Sequence, residues 1–254
     1  LARDPEIQKI FEITDDSLQG LLGYFYYVIN AIGWAPVFGI FNTLPKDQIP
    51  LTHEWDRNYD RQELILEMNK SFVAYQTRTT IVAMVNVFEV ATKKFLKRLN
   101  DTSHPQQNIR DSGKFYKQRL DWVFKKVERS SFGNVNMQTR IPQLCLDVDH
   151  ARRLRNISVH NNGLFDDRYE SDAIQVGDSP GLTHPDFQKY SANRSIPVTP
   201  ILQPSDYIQM SKSHIELLHF LHHEIQSQDF GETTPYNYRE QLKRIEWHRL
   251  LFGF

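Results

Sequence analysis

The chain has a single cysteine, Cys145, in 254 residues. One thiol excludes an intrachain disulfide and any four-thiolate zinc site, and it suits a reducing compartment, so the cytoplasm is the expected location. Charge of one sign is also lacking, since 30 Lys and Arg face 31 Asp and Glu for a formal net charge of −1. A histone-like or polybasic binder is thereby disfavoured, and any contact with nucleic acid has to come from a local basic face. The sequence contains no phosphate-cradling glycine loop, no paired thiols and no serine-nucleophile elbow. Strand-type alternation and internal repeats are missing as well. Helical periodicity is what remains to organise the chain, and the expected fold class is all-α.

Residues 1–58 read as an N-terminal apolar helical extension. Ile7, Ile10, Phe11 and Ile13 give residues 1–16 the pattern of a short amphipathic helix, and Thr14-Asp15-Asp16-Ser17 offers the N-cap of the next one. From Ser17 to Pro45 no residue is charged, and Leu21 to Phe41 is apolar apart from Asn30. A run of about 20 apolar residues flanked by Tyr and Trp has the length and composition of a membrane span. Gly33, Pro36 and Gly39 interrupt it, which suits a helix ending near Gly33 that packs inside the protein or against a subunit. Both readings of residues 21–41 stay open.

Residues 59–228 carry the main helical domain. Tyr59 to Leu99 reads as one long helix whose middle, Ile81 to Phe88, is apolar on most faces and belongs at the centre of a bundle. Glu89 interrupts that run and needs a partner or a polar cavity. A polar loop precedes a second helix over Gly113–Val127, with Leu120 and Trp122 packing and a basic face of Lys114, Lys117, Arg119, Lys125 and Lys126. After a connector over Ser130–Pro142, a helix runs from Gln143 to about Asn161, with Gly163 placed to end it in a left-handed cap. A loop excursion over 165–204 follows, then a helix from Tyr207 to Gln226 capped by Ser205-Asp206. Residues 229–254 form a C-terminal helix with Leu242, Ile245, Leu250 and Leu251.

The Gln143–Asn161 helix holds the chemistry. At about 100° per residue, Asp147, Ala151, Leu154, Ile157, Ser158 and Asn161 share one side that can pack inward. Arg152, Arg155, Asn156, Val159 and His160 gather on the other, within an arc of about 140°. A permanently charged guanidinium matches phosphate oxygens, and an imidazole exchanges protons near neutrality. Phosphodiester chemistry needs both, although an exposed helix face carries such residues for solubility alone.

The string Ala151-Arg152-Arg153-Leu154-Arg155-Asn156-Ile157-Ser158-Val159-His160-Asn161-Asn162-Gly163 resembles the signature of the HEPN superfamily. There, an Arg and a polar residue precede a His, with four to six positions between the Arg and the His; here the interval is four and Asn156 is the polar residue. The resemblance extends over about residues 60–226 and takes in the apolar helix ending at Glu89 and the helix after Ile196-Pro197-Val198-Thr199. It implies a bundle of four or five helices whose dimer faces two copies of the motif across one composite cleft. It also implies a metal-independent endoribonuclease without cofactor, in which an RNA 2'-hydroxyl attacks the adjacent phosphate. On that analogy His160 is the general acid or base, Arg155 holds the phosphate and Asn156 orients the pair. Arg152 and Asn161 add substrate contacts, and Glu89 stands behind Arg155 or His160. Such an enzyme fits a toxin–antitoxin or anti-phage effector, restrained by a regulatory or antitoxin protein. The alternative is a non-catalytic scaffold that binds RNA or a nucleotide with the same residues, membrane-associated or not through residues 21–41. His219 and His223 have the i, i+4 spacing of helical metal ligands, but no third ligand accompanies them, so no metal is expected.

Overall fold

A computed structural model describes residues 4–34, 61–102, 135–179, 184 and 186–228. Six helices are present among them, α1 (Pro5–Trp34), α2 (Arg61–Thr102), α3 (Val135–His160), α4 (Asp167–Gln175), α5 (Asp186–Ala192) and α6 (Pro204–Gln228), and no strand. The expected all-α class is what the described residues adopt. The helices expected over 113–127 and 229–254 lie outside the described residues.

Four long helices make the bundle. α1 packs on α2 and α6, α2 on α3 and α6, and α3 on α6, while α4 lies against α3. Each contributes an apolar stripe at helical spacing: Leu18, Leu22 and Phe25 from α1, Ile81, Met84, Val85 and Phe88 from α2, and Leu144, Val148, Ala151 and Leu154 from α3, all buried in one cluster with Leu217, Leu218 and Leu221 of α6. The centre of α2 is therefore the centre of the bundle. Arg140 of α3 reaches across to Glu216 of α6 with two bonds, 2.9 Å from Nε and 2.8 Å from Nη2, a forked pair that fixes the register of the two helices.

Helix limits differ from the expected ones where polar side chains choose another partner. Residues 5–34 form one helix, not two. Thr14 and Ser17 donate their hydroxyls to the carbonyls of Ile10 and Ile13, both at 2.6 Å, and so stay within the helix in place of capping a new one. The cap is Asp4, whose Oδ1 accepts from the Glu6 amide at 3.0 Å. α3 starts at Val135 and runs through Pro142, whose ring is exposed and removes one backbone donor without ending the helix. α6 begins with Pro204, and Asp206 reaches back to accept from the Gln203 amide at 2.8 Å, as a carboxylate in the first turn does.

The excursion over 165–204 is a second correction, because it contains α4 and α5. Asp166 caps α4 by accepting from the Tyr169 amide at 2.8 Å. Phe165, Tyr169, Phe187 and Tyr190 form an aromatic cluster with centroids 4.9 to 6.2 Å apart, and these rings give two short helices the core that their length alone does not.

No helix among the described residues is long and apolar enough to cross a membrane. Over 21–34 the apolar run is part of α1, with Leu22 and Phe25 buried in the bundle and Tyr24 and Tyr27 exposed. Its remainder, 35–41, lies outside the described residues.

Candidate functional site

The last turn of α3 is closed by its backbone. Gly163 donates its amide to the Ile157 carbonyl at 2.9 Å, with Asn162 at φ 51° and Gly163 at φ 80°. Two consecutive left-handed residues thus end the helix, Asn162 taking the position expected of the glycine alone. Asn161 points its amide nitrogen at the Leu164 carbonyl, 2.9 Å away, so its side chain serves the turn. The Arg78 guanidinium of α2 lies where a Cβ at Gly163 would stand, with Nη1 only 2.5 Å from it. Gly163→Ala is expected to cost about 1–2 kcal/mol, mostly from the left-handed backbone, since the Arg78 end can withdraw. Urea denaturation of the variant checks this, and an unchanged midpoint would count against the cap as described.

Arg155 sits two turns before the cap and is directed toward α2. Its Nη2 forms an ion pair with Glu89, and both side chains are largely buried, at 15% and 20% exposure. Its Nε is buried without a hydrogen-bond partner among the described residues. Arg78 lies on the same face of α2 as Glu89, eleven residues earlier and so about 20° around the helix. The sequence contains that spacing, and it is the signal by which Arg78 could have been found.

Asn156 and His160 look the other way. They line a shallow cleft of about 20 Å³, room for one water, between α3 and α4 together with Ile157, Asp166, Arg168 and Tyr169, and Arg155 is not among its walls. His160 is exposed, and its neighbour Val159 is 54% exposed. One copy of the chain therefore presents the guanidinium and the imidazole on two sides of α3, held by different neighbours.

Arg152 is a correction to the expected exposed face. It is buried, with Nε 2.9 Å from Asp149 Oδ1 and Nη2 3.6 Å from Asp172 Oδ2. Arg153 beside it is 1% exposed, donates from Nη1 to Asp149 Oδ2 at 2.9 Å, pairs with Asp178 through Nη2, and lies over the Tyr169 ring. Burial pushes the Asp149 carboxyl up, opposed by the charges of Arg152 and Arg153. The two arginines, which look like surface residues in the motif, are thus the fastening between α3 and the α4 segment. The Asp172 and Asp178 carboxylates that bury them come from the stretch expected to be loop.

Several other histidines among the described residues are structural in their surroundings. His219 Nε2 lies 2.9 Å from Asp15 Oδ1, and His222 Nε2 lies 2.9 Å from Gln8 Oε1 with its ring stacked on Phe11 at 3.9 Å. Both contacts dock α6 on α1. No group of three or more His, Cys, Asp or Glu side chains among the described residues is placed to hold a metal ion. His214 is fully buried, donates from Nδ1 to the Met210 carbonyl at 2.7 Å, and is pushed down to about 4 by burial. His150 Nε2 is buried without a bond among the described residues, and burial, then the Arg153 and His184 charges, push it down to about 3.

No family model, curated protein or solved structure matches the chain.

Proposed function

We propose that the chain is a metal-independent endoribonuclease of the HEPN type, acting as a dimer in the cytoplasm as an effector of a toxin–antitoxin or anti-phage system. The observation that carries this reading is the environment of the Arg-Asn-Ile-Ser-Val-His run. Arg155 is oriented by Glu89, while His160 stands exposed beside Asn156 at the mouth of a cleft. A fixed guanidinium and an accessible imidazole on one rigid helix are the parts that phosphodiester cleavage needs. Their placement on two sides of α3 supports a composite site, in which a second copy supplies what the first directs elsewhere. The exposed Val159 next to His160 suits burial between two such helices.

In this mechanism the 2'-hydroxyl oxygen bonds to the adjacent phosphorus as the bond from phosphorus to the 5'-oxygen breaks. One copy of His160 takes the 2'-hydroxyl proton, and the other returns a proton to the leaving 5'-oxygen. Arg155 balances the charge that develops on the non-bridging oxygens. The products carry a cyclic 2',3'-phosphate and a free 5'-hydroxyl. A regulatory or antitoxin protein restrains the enzyme until it is needed.

The test is cleavage of total cellular RNA in EDTA by the parent, Arg155→Ala and His160→Ala. Each variant is expected to lose about 10²-fold or more of the rate, the usual scale for a general acid–base group. His160→Ala is the cleaner variant, since an exposed side chain leaves the bundle intact. Cleavage by a species shown to be monomeric at micromolar concentration would remove the composite site. A second reading has its own observation, because Arg155 already has a carboxylate partner and does not line the cleft of His160. A scaffold that binds RNA or a nucleotide without cutting it would look the same, and intact RNA with the parent, in the presence of retained binding, selects it.

A further inference from the structure

The cleft beside His160 contains more charge than the motif supplies. Its walls include Arg153, Asp166, Arg168 and Asp172 as well as His160 and Asn156. Most of that charge is already committed. Arg153 is held by Asp149 and Asp178, the Asp172 carboxylate faces Arg152, and Asp166 accepts the Tyr169 amide to cap α4. Arg168 differs: it is exposed, it stands in the first turn of α4, and it forms no ion pair or hydrogen bond among the described residues. The carboxylates that could have engaged it are taken. Asp167 and Glu170 on the same helix bind Arg194, at 2.5 and 2.7 Å.

We infer that Arg168 is the cation that holds an RNA phosphate beside His160, the part that the motif alone would give to Arg152. Arg152 cannot take it, being buried between two carboxylates. The fork of Arg168 is instead open to solvent and shares a wall with the imidazole and with Asn156. A guanidinium with uncommitted donors at the rim of a cleft recognises a phosphate in two-point fashion, as a lysine ammonium does not. α4 itself is tied down by the Arg152, Arg153, Asp149 and Asp172 contacts, so Arg168 projects from a fixed element. The inference rests on the reading of the His160 cleft as an RNA site.

The experiment measures two things on the same proteins, the parent, Arg168→Ala, Arg168→Lys and the control Lys97→Ala, an exposed lysine on α2 away from the cleft. Binding is read by anisotropy with a fluorescent single-stranded oligonucleotide that is 2'-O-methylated throughout and cannot be cut by 2'-hydroxyl attack. Cleavage is read with the unmodified RNA of the same sequence. Arg168→Ala is expected to bind about tenfold more weakly, with the slope of log affinity against log salt reduced by about 0.7, the share of one phosphate contact on a single strand. Arg168→Lys recovers the slope but only part of the affinity, and Lys97→Ala stays within about twofold of the parent. In cleavage, Arg168→Ala raises KM with kcat within about threefold. If the parent cuts RNA and Arg168→Ala matches it in affinity and salt slope, the role of Arg168 is overturned and the nuclease stands. Weakened binding by Arg168→Ala with no cleavage by any protein keeps the phosphate contact and removes the nuclease. A parent that neither binds nor cuts overturns both.

Discussion

Arg153→Leu is expected to lower the stability of the protein by about 3–5 kcal/mol, the usual result of removing one partner from a buried ion pair. The size follows from what is left behind. Asp149 is 1% exposed and keeps only Arg152, whose second contact, to Asp172, is already long at 3.6 Å. Asp178 loses its guanidinium partner at the same time. Two carboxylates would then carry charge in a place where charge is poorly solvated, or would take up protons to avoid it. Arg153→Lys retains one positive charge but cannot bridge Asp149 and Asp178 with a planar fork, so it should fall between the parent and the leucine variant. Chemical denaturation near neutral pH measures all three. A leucine variant within 1 kcal/mol of the parent would mean that the pairing contributes little, as if the cluster were exposed. Loss of α4 docking has a functional corollary too, because Tyr169 and Arg168 form the far wall of the His160 cleft.

The same residues mark how far the sequence could be read. α2 and the buried stripe of α3 were legible because apolar residues recur at helical spacing, and burial follows directly from that pattern. Glu89 was legible as a charge interrupting an apolar run, and its partner in the structure is Arg155. Arg152 was not legible as buried, because helical geometry places it on the polar face, and Arg153 falls between the two faces; the Asp172 and Asp178 carboxylates that pair with them lie about 20 and 25 residues away in a stretch punctuated by Gly and Pro. A nine-residue helix such as α4 has too few turns for its periodicity to stand out, and it depends on tertiary contacts with Phe165 and Phe187. Arg168 was hidden for the same reason, since its position next to His160 exists only once α4 folds back. The Thr14 to Ser17 stretch failed differently. Hydroxyls that cap a helix can also bond a carbonyl four residues earlier, and the local sequence does not distinguish the two.

Acid should weaken the fold well before its carboxylates protonate. His214 and His150 are held neutral in the folded protein, with values pushed down to about 4 and about 3 from an ordinary 6.5. In the unfolded chain both take up a proton as pH falls through 6.5, while the folded chain does not, so the unfolded state binds more protons and stability falls with falling pH. His214 contributes about 1.4 kcal/mol per pH unit in this window, which gives a loss of about 2 kcal/mol by pH 5, and His150, which lines a pocket with His184 and Asp206, adds to it in the same direction. Even about 2 kcal/mol is a sizeable part of the stability of an ordinary domain. His184, also pushed down by burial, works in the same direction, whereas Asp149, pushed up by burial, works in the opposite one. The histidine signature is therefore read at the upper end, between pH 6.5 and 5. His214 is the firmer of the pair because its ring is fully enclosed, edge-on to Phe88 at 5.0 Å, with Nε2 unpartnered among the described residues. His214→Phe removes the titrating group while filling the same space, and should reduce the pH slope of stability by about 1.4 kcal/mol per unit even though it loses the bond to the Met210 carbonyl. Urea midpoints at pH 7.5 and pH 5 for parent and variant decide it. Equal midpoints for the parent at the two pH values would mean that these imidazoles reach solvent and protonate inside the folded bundle.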